Sequence, residues 1–161
     1  MPARYGPSGG GGGDRYIDIL PDLYRENAQY GNTNIKIKYE DKIDSIVVTY
    51  EDGIRNPKKA GGDGGNTLVE FTLASNEFIT GIRGRSGDLI DAIAFETNLS
   101  RYPDPNQMQY YGGHGGREFA FLLTNSVNPA SLPDEEIIGF FSHYGNKVDS
   151  IGVYVRKRPN T

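Results

Sequence analysis

The sequence predicts an all-β protein built from three copies of one antiparallel unit. A glycine-rich loop recurs three times at a nearly constant interval, a segment centred on one Asp recurs between the loops, and the residues around both alternate between apolar and polar. A fixed period indicates repeats, and alternation with a period of two is typical of strands with one buried face. Glycine accounts for 22 of the 161 residues, about twice the usual share, so the excess needs a structural reason.

The three glycine loops share the pattern GGxGG. They occupy residues 9–13, which are all glycine, residues 61–65, which begin 52 positions later, and residues 112–116, which begin 51 positions after that. Because a constant spacing of this kind marks repeated structural units, we interpret them as equivalent loops in three repeats of about 50 residues.

Each repeat also contains a β-branched residue, an Asp, a small residue and Ile, in that order. The Asp is Asp44, Asp91 or Asp149, and alternate residues after it are mainly apolar. Similar alternation follows each glycine loop, and a further apolar segment precedes each Asp, so we expect about four short strands in every repeat. Only residues 22–30 favour a helical turn or two.

Small isolated sheets with one apolar face are unstable in water, so the three units must share a core. The sequence therefore predicts a β-prism of three four-stranded antiparallel sheets with pseudo-threefold symmetry. We expect one domain over residues 9–156, a flexible N-terminal extension over residues 1–8 and a C-terminal tail over residues 157–161. The basic run at residues 156–158 is interpreted as solvated.

The composition narrows the possible functions. A net charge of −4 argues against nucleic acid as a partner, the absence of cysteine excludes disulfides and thiolate metal sites, and no apolar run predicts membrane insertion. The two histidines lie outside any cluster, so we expect neither a metal nor a cofactor. The N-terminus has no apolar signal segment, which favours a cytoplasmic location, while export by another route stays open.

The Asp segments have the chemistry of a binding site for polar ligands. Gly87 stands four residues before Asp91, and Gly145 stands four before Asp149, a GxxxD pattern. Glycine permits a positive φ that turns successive backbone amides toward one point, and Asp adds an acceptor with two oxygens. Adjacent donors and acceptors suit the neighbouring hydroxyls of a sugar, with each charge-assisted hydrogen bond contributing about 1.5–3 kcal/mol. The glycine loops carry no side chains, so a sugar ring could approach their backbone.

Other interpretations of these loops explain less. A single GGxGG loop is typical of a tight hairpin and a single Asp of a capped turn, but threefold repetition of both favours binding sites. A glycoside hydrolase needs two carboxylates separated by ~5 to 9.5 Å. The third loop has Asn146 where the others have Asp41 and Asp88, so we expect no enzyme. Glu40 replaces the loop glycine in the first repeat and adopts a positive φ less readily, so the Asp44 site is expected to be the weakest.

These residues resemble the jacalin-related lectins. The resemblance covers about residues 9–155 and is most specific in GNKVDSIGVYV, residues 145–155, and ITGIRGRSG, residues 79–87. It implies a β-prism with a primary monosaccharide site between the first glycine loop and the last GxxxD loop, and further sites in the other repeats. The sugar contacts that it implies are Gly12, Gly13, Gly145, Asn146, Lys147, Val148 and Asp149 in the primary site, Gly87, Asp88, Leu89, Ile90, Asp91, Gly113, His114 and Gly115 in a second, and Asp44, Gly62 and Asp63 in a third.

The same resemblance implies a function. Uncut chains with an N-terminal extension resemble the members that bind mannose or glucose. We therefore expect a homo-oligomeric, agglutinating lectin that binds mono- and oligosaccharides or glycoproteins of the mannose/glucose type. We expect several sites per chain, because one shallow site binds at about millimolar concentration and linked sites gain ~10²–10⁴ in effective affinity. Two alternatives stay open: a domain for protein–protein interaction with weak or no sugar binding, and a galactose-type specificity.

Overall fold

The computed structural model describes residues 2–52, 54, 56–100 and 108–159. Within these residues the chain forms twelve β-strands and no helix, so the predicted all-β class is confirmed. Residues 22–30, where a helical turn was expected, contain only turns. The strands are β1 (Ala3–Gly9), β2 (Arg15–Ile19), β3 (Asn34–Tyr39), β4 (Ile43–Thr49), β5 (Lys58–Gly61), β6 (Thr67–Thr72), β7 (Ile79–Ser86), β8 (Ile90–Thr97), β9 (Tyr111–Gly112), β10 (Arg117–Leu122), β11 (Glu135–Tyr144) and β12 (Ser150–Lys157).

The strands form three groups of four with the same antiparallel order. The first group, β5-β4-β3-β6, is a separate sheet. The second, β9-β8-β7-β10, and the third, β1-β12-β11-β2, belong to one eight-stranded sheet. These two groups are joined by a single residue pair, Ile137 with Ile79. Hydrogen bonding thus gives two sheets where the sequence predicted three, because the ten-residue strand β11 extends far enough to meet β7 of the next group.

Each glycine loop connects the two outer strands of its own group. Residues 9–13 connect β1 to β2, residues 61–65 connect β5 to β6, and residues 112–116 connect β9 to β10. The two inner strands of each group form a hairpin that carries the Asp. Since outer and inner strands end at the same edge, every glycine loop crosses the turn of its own Asp hairpin.

The apolar faces of the three groups meet in one core. Residues with no more than 1% exposure come from all three groups, and each such side chain contributes roughly 1.5–3 kcal/mol by its burial. They include Ile35, Ile37, Ile46, Val48, Ile82, Ile93, Ile151 and Val153.

The three Asp hairpins are held to one another at the end of this core. The residues that precede the Asp, namely Ile43, Ile90 and Val148, are fully buried. The Ile90 amide donates to the Val148 carbonyl at 2.9 Å, and the Val148 amide donates to the Ile43 carbonyl at 3.1 Å. These bonds fix the positions of the hairpins relative to one another.

The N-terminal residues are a strand and not a flexible extension. Strand β1 pairs with β12 from Ala3 opposite Val155 to Gly9 opposite Ser150, with a register shift between Tyr5 and Ser8. An edge strand accepts a proline because one side of it needs no ladder donors. The sequence up to residue 9 looked irregular because Gly6-Pro7 lies in this shift.

The basic run at residues 156–158 is solvated only in part, because Lys157 is exposed while Arg156 is buried. Arg156 is 3% exposed, and its guanidinium donates to the carbonyls of Arg25, Glu26 and Ala28 at 2.6–3.3 Å. It lies 3.6 Å from a carboxylate oxygen of Glu136. Arg156 therefore fastens the connection between β2 and β3 to the third group, and strand β12 continues to Lys157.

A substitution at Gly152 in β12 tests how tightly the third group is packed. A methyl group at this buried position would lie 2.1 Å from Cζ of Phe141 on the neighbouring strand. We expect Gly152→Ala to lower the free energy of unfolding by about 1–3 kcal/mol, the usual cost of overpacking a core. Urea unfolding would measure this. Gly31→Ala is the control, because a methyl there has its nearest neighbour at 3.7 Å, and equal unfolding midpoints for the two variants would contradict the packing described.

Candidate functional site

Three carboxylates lie at one end of the fold, each under the glycine loop of its own group. The structure therefore brings together the loops and hairpins that the sequence paired. A methyl group added to the fourth glycine of any of these loops would touch a carboxylate oxygen of the Asp beneath it. That carbon would lie 2.8 Å from Asp149 Oδ2 at Gly12, 3.0 Å from Asp44 Oδ1 at Gly64 and 2.7 Å from Asp91 Oδ1 at Gly115.

The glycine loops need glycine at their first and last positions. Gly9 has a φ of 117° and Gly13 a φ of 82°, values that favour residues without a side chain. A methyl on Gly9 would lie 2.3 Å from the Asp149 carbonyl oxygen, and the next amide, of Gly10, donates to that oxygen at 3.0 Å. The other two loops repeat this arrangement, with first and last φ values of 104° and 95° at Gly61 and Gly65 and of 124° and 72° at Gly112 and Gly116.

The glycines of the GxxxD pattern have another role than the one predicted. Positive φ values occur in the glycine loops, whereas neither Gly87 nor Gly145 has one. Each instead packs on the last glycine of the loop, where an added methyl would lie 3.8–3.9 Å from a backbone Cα. Glu40 in the first repeat thus avoids backbone strain, and the reason for ranking the Asp44 site lowest was wrong.

Two of the three carboxylates are occupied by lysines of the same chain. Lys147 Nζ lies 2.5 Å from Asp44 Oδ1, and Lys42 Nζ forms an ion pair with Asp91 Oδ1. The Lys42 ammonium also lies 3.3 Å from the methyl position on Gly115, so it stands between the carboxylate and the glycine loop. Asp44 and Asp91 are 2% and 1% exposed, so their charges are neutralised inside the protein.

Asp149 forms no salt bridge within the described residues, and it is 9% exposed. Burial raises the pKa of its carboxyl above the usual value, and nearby Asp14 acts in the same direction. The nearby Gly145 amide and the neighbouring His143 lower the pKa in opposition. The loop above is open, because a methyl on Gly11 would meet no atom within 4 Å. Asp149 is thus the most exposed of the three carboxylates, and the one without a lysine partner within the described residues.

The backbone amides of the hairpins divide into supporting and accessible groups. The sequence assigned ligand contacts to Val148 and Ile90, but both amides donate to backbone carbonyls of neighbouring hairpins, and both side chains are fully buried. These two residues therefore support the site and do not offer donors to a ligand. Asn146, by contrast, lies exposed at the turn of its hairpin.

An aromatic pair on β2 and β11 and a cleft beside the third hairpin were not predicted from the sequence. Tyr16 on β2 lies opposite His143 on β11, and their rings are 5.0 Å apart. The two rings meet because β2 pairs with β11, and a sequence-based prediction of that strand pairing would have been needed to place them together. A cleft of about 470 Å³ lies between the third hairpin and the glycine loop of the first group; it is lined by Asp14, Arg15, Lys59, Gly61, Gly62, Asp63, Tyr144, Gly145 and Asn146.

The remaining residues assigned to sites lie at the protein surface. Asp63 and His114, the central residues of their loops, are both exposed. Lys59 donates to Asp63 at 2.7 Å, and this hydrogen bond lowers the pKa of the Asp63 carboxyl. Gly62 and Asp63 line the cleft beside the third hairpin, so these residues face both the first and the third repeat. Asp88 is exposed at the turn of the second hairpin.

The described part of the chain offers no support for metal binding or for a membrane-spanning helix. That part contains no group of three or more His, Asp or Glu side chains that could hold a metal ion. None of its segments forms a helix long and apolar enough to cross a membrane.

The fold and the candidate site combine three antiparallel groups of four strands with one carboxylate beneath each of three glycine loops. Residues 5–154 match the model of the Jacalin-like lectin domain, and the chain belongs to this family. The members of the family that it resembles are lectins, which are non-enzymatic carbohydrate-binding proteins. The predicted family is therefore confirmed.

Curated relatives match at low identity. The jacalin-related lectin Calsepa of Calystegia sepium is 26% identical, over 98% of this chain and 97% of its own length. An agglutinin of Castanea crenata is 29% identical over 96% of this chain. Most of these relatives are much longer proteins; the chain spans 47% of the Castanea agglutinin and 16% of jacalin-related lectin 5 of Arabidopsis thaliana.

Solved structures share the fold. A Malaysian banana lectin has a TM-score of 0.76 and 25% identity, covering 98% of this chain and 100% of its own. A mannose-specific jacalin-related lectin from Morus nigra, solved in complex with mannose, has a TM-score of 0.71 and 25% identity, covering 97% and 95%.

Proposed function

We propose that the protein is a lectin of the mannose/glucose type that binds sugar between the glycine loop at residues 9–13 and the hairpin at residues 145–149. The observation that carries this proposal is the state of Asp149. It lies under a glycine loop as Asp44 and Asp91 do, but within the described residues it has no lysine partner. Relatives named mannose/glucose-specific lectins, from Parkia pendula and Parkia platycephala, support the sugar class.

The chemistry of this site suits adjacent hydroxyls. The ionised carboxylate of Asp149 accepts hydrogen bonds from two neighbouring hydroxyls, and backbone amides at the hairpin turn donate to the same sugar oxygens. Gly12, whose methyl position lies 2.8 Å from Asp149 Oδ2, leaves room for the ring beside the carboxylate because it carries no side chain. Two charge-assisted bonds of about 1.5–3 kcal/mol each are sufficient for the millimolar affinity of a shallow site, about −4 kcal/mol.

Agglutination then requires assembly of several chains. With one open site per chain, cross-linking of branched glycans or glycoproteins needs a homo-oligomer, in which linked sites gain ~10²–10⁴ in effective affinity. We propose that the three groups of four strands form the three walls of a β-prism, with the sugar site at one end. This geometry leaves the outer faces of the prism for contacts between copies.

A titration followed by backbone amide chemical shifts tests the proposed function. Mannose and glucose are expected to shift amides in residues 9–13 and 145–149, with smaller shifts from galactose. Larger shifts with galactose than with mannose or glucose would show a galactose-type specificity and contradict the proposed one. A folded protein whose amides respond to none of the three sugars would contradict the proposal and favour a role in protein–protein contact.

The pH dependence of binding follows from the environment of Asp149. Because burial raises the pKa of this carboxyl, we expect sugar affinity to fall in acid at a higher pH than the ~3.9 of an ordinary aspartate would give. Bound hydroxyls favour the ionised form, so binding should release protons in this window. Calorimetry in buffers of different ionisation enthalpy would measure the release.

Acid unfolding would also abolish sugar affinity at low pH. The two causes can be separated, because protonation of Asp149 has a predictable effect on the stability of the fold. A carboxyl whose pKa is raised by folding is destabilising when ionised, so protonation of Asp149 favours the folded state. Circular dichroism at the same pH should therefore show an intact fold. An affinity that stays constant down to the pH of acid unfolding would contradict a role for the Asp149 carboxylate.

A further inference from the structure

We propose that the residue two positions before each Asp decides whether the sugar site of the neighbouring group is open. Lys42 and Lys147 stand at this position in the first and third hairpins, and Leu89 stands there in the second. The lysines close the Asp91 and Asp44 sites, so each chain keeps one sugar site, at Asp149. This inference rests on the proposed sugar chemistry of the Asp149 site.

The three hairpins and glycine loops contact one another in a closed ring. The second glycine of each loop packs against the turn of the hairpin from the next group. A methyl there would lie 2.4–2.5 Å from a carbonyl oxygen of that turn, and the pairs are Gly10 with Asp88, Gly62 with Asn146 and Gly113 with Asp41. The residue after each of these turn positions is Leu89, Lys147 or Lys42. Each hairpin thus carries one side chain to the edge of its neighbour's site.

The two lysines use this position to reach the neighbouring carboxylate. Lys42 of the first group pairs with Asp91 of the second, and Lys147 of the third group pairs with Asp44 of the first. By the same relation the second group would supply Leu89 to Asp149 of the third. Leucine has no donor, so the Asp149 carboxylate keeps its acceptor capacity for a ligand.

A lysine in this position competes directly with a sugar. Its ammonium offers three donors, which occupy the oxygens that sugar hydroxyls would use. The Lys42 ammonium stands beside Gly115, in the space that a ring would need to reach the loop backbone. A neutral sugar would have to displace a charged partner from a carboxylate that is nearly buried, which costs more than binding at an unpaired carboxylate.

The lysine side chains are half-exposed, at 37% for Lys42 and 41% for Lys147. Replacing Lys42 with an apolar residue therefore removes the partner of Asp91 without opening the core. Leucine is the matched substitution, because Leu89 occupies the equivalent position in the second repeat.

Exchange of these residues tests the inference, with calorimetric titration of methyl α-mannoside as the readout. The wild type should bind one mannoside per chain, and Lys42→Leu should bind two, the second at Asp91. Leu89→Lys should lose at least tenfold in affinity, because it supplies an ammonium to Asp149. Leu99→Lys is the control, because it adds the same charge at a leucine that is 57% exposed and lies past the end of β8 opposite to Asp91; it should bind as the wild type does.

The outcomes separate this inference from the proposed function. If the wild type binds one mannoside, and Lys42→Leu also binds one while Leu89→Lys keeps full affinity with an intact fold, the inference is overturned and the Asp149 site stands. If the wild type binds none, the proposed function fails. A Lys42→Leu variant that then binds one mannoside would still support the lysine inference, and a variant that binds none would overturn it as well.

Discussion

Replacing Asp149 with asparagine is expected to abolish measurable sugar binding in an otherwise intact protein. Asparagine keeps the size of the side chain but removes the charge and one acceptor oxygen. Each charge-assisted hydrogen bond of about 1.5–3 kcal/mol becomes at best a neutral one of about 0.5–1.5 kcal/mol, so the loss over two bonds lowers affinity by about thirtyfold or more. Starting from a millimolar site, such a loss leaves no signal in a titration with mannose followed by amide shifts.

Asp91→Asn is the matched control for this substitution. Asp91 lies under an equivalent glycine loop, but its carboxylate already pairs with Lys42. We expect this variant to bind sugar at Asp149 as the wild type does, even if its stability falls on loss of the ion pair. Equal losses of binding in the two variants would show that the Asp149 site is not the dominant one.

The second large effect is expected from adding one methyl group to the glycine loop. In Gly12→Ala the new carbon would lie 2.8 Å from Asp149 Oδ2, so the carboxylate must turn away from its position under the loop. Gly12 does not have a positive φ, and it is exposed, so alanine fits the backbone there. We expect sugar binding to fall by at least about tenfold, the equivalent of one displaced hydrogen bond, with little change in the unfolding midpoint.

Gly11→Ala provides the matched comparison. It lies next to Gly12 in the same loop, and a methyl at this position would meet no atom within 4 Å. Its affinity should stay within a few-fold of the wild type, because the added methyl does not touch the Asp149 carboxylate. If sugar affinity fell in Gly11→Ala and stayed unchanged in Gly12→Ala, the ligand would lie away from the carboxylate, and the site described would be contradicted.

Periodicity predicted most of the fold because the strands and loops repeat. The order of strands in each group follows from alternation and from the recurrence of glycine and Asp, both of which are local properties of the chain. Strand β1 was missed because Gly6 and Pro7 interrupt the alternation, and only pairing with β12 shows that these residues form an edge strand. The burial of Arg156 was missed for a similar reason, since its partners lie more than 120 residues earlier.

The sequence predicted the carboxylates and glycine loops of the candidate sites, but not which of the three sites is open. The sequence contains three equivalent carboxylates and three glycine loops, and their pairing follows from the order of strands. The backbone role of glycine was assigned to the wrong positions, because the positive φ values lie at Gly9 and Gly13 and their equivalents and not in the GxxxD turns. Glu40, suspected of disabling one site, is compatible with its backbone conformation.

The sequence by itself determined the all-β class, the three repeats, the family and the three Asp residues that could accept a ligand. The tertiary structure decided which of these Asp residues is accessible. That choice depends on ion pairs between residues 49 and 103 positions apart, Lys42 with Asp91 and Lys147 with Asp44. Local pattern cannot show such contacts, because a lysine's partner is set by the packing of one repeat against the next and not by its neighbours along the chain.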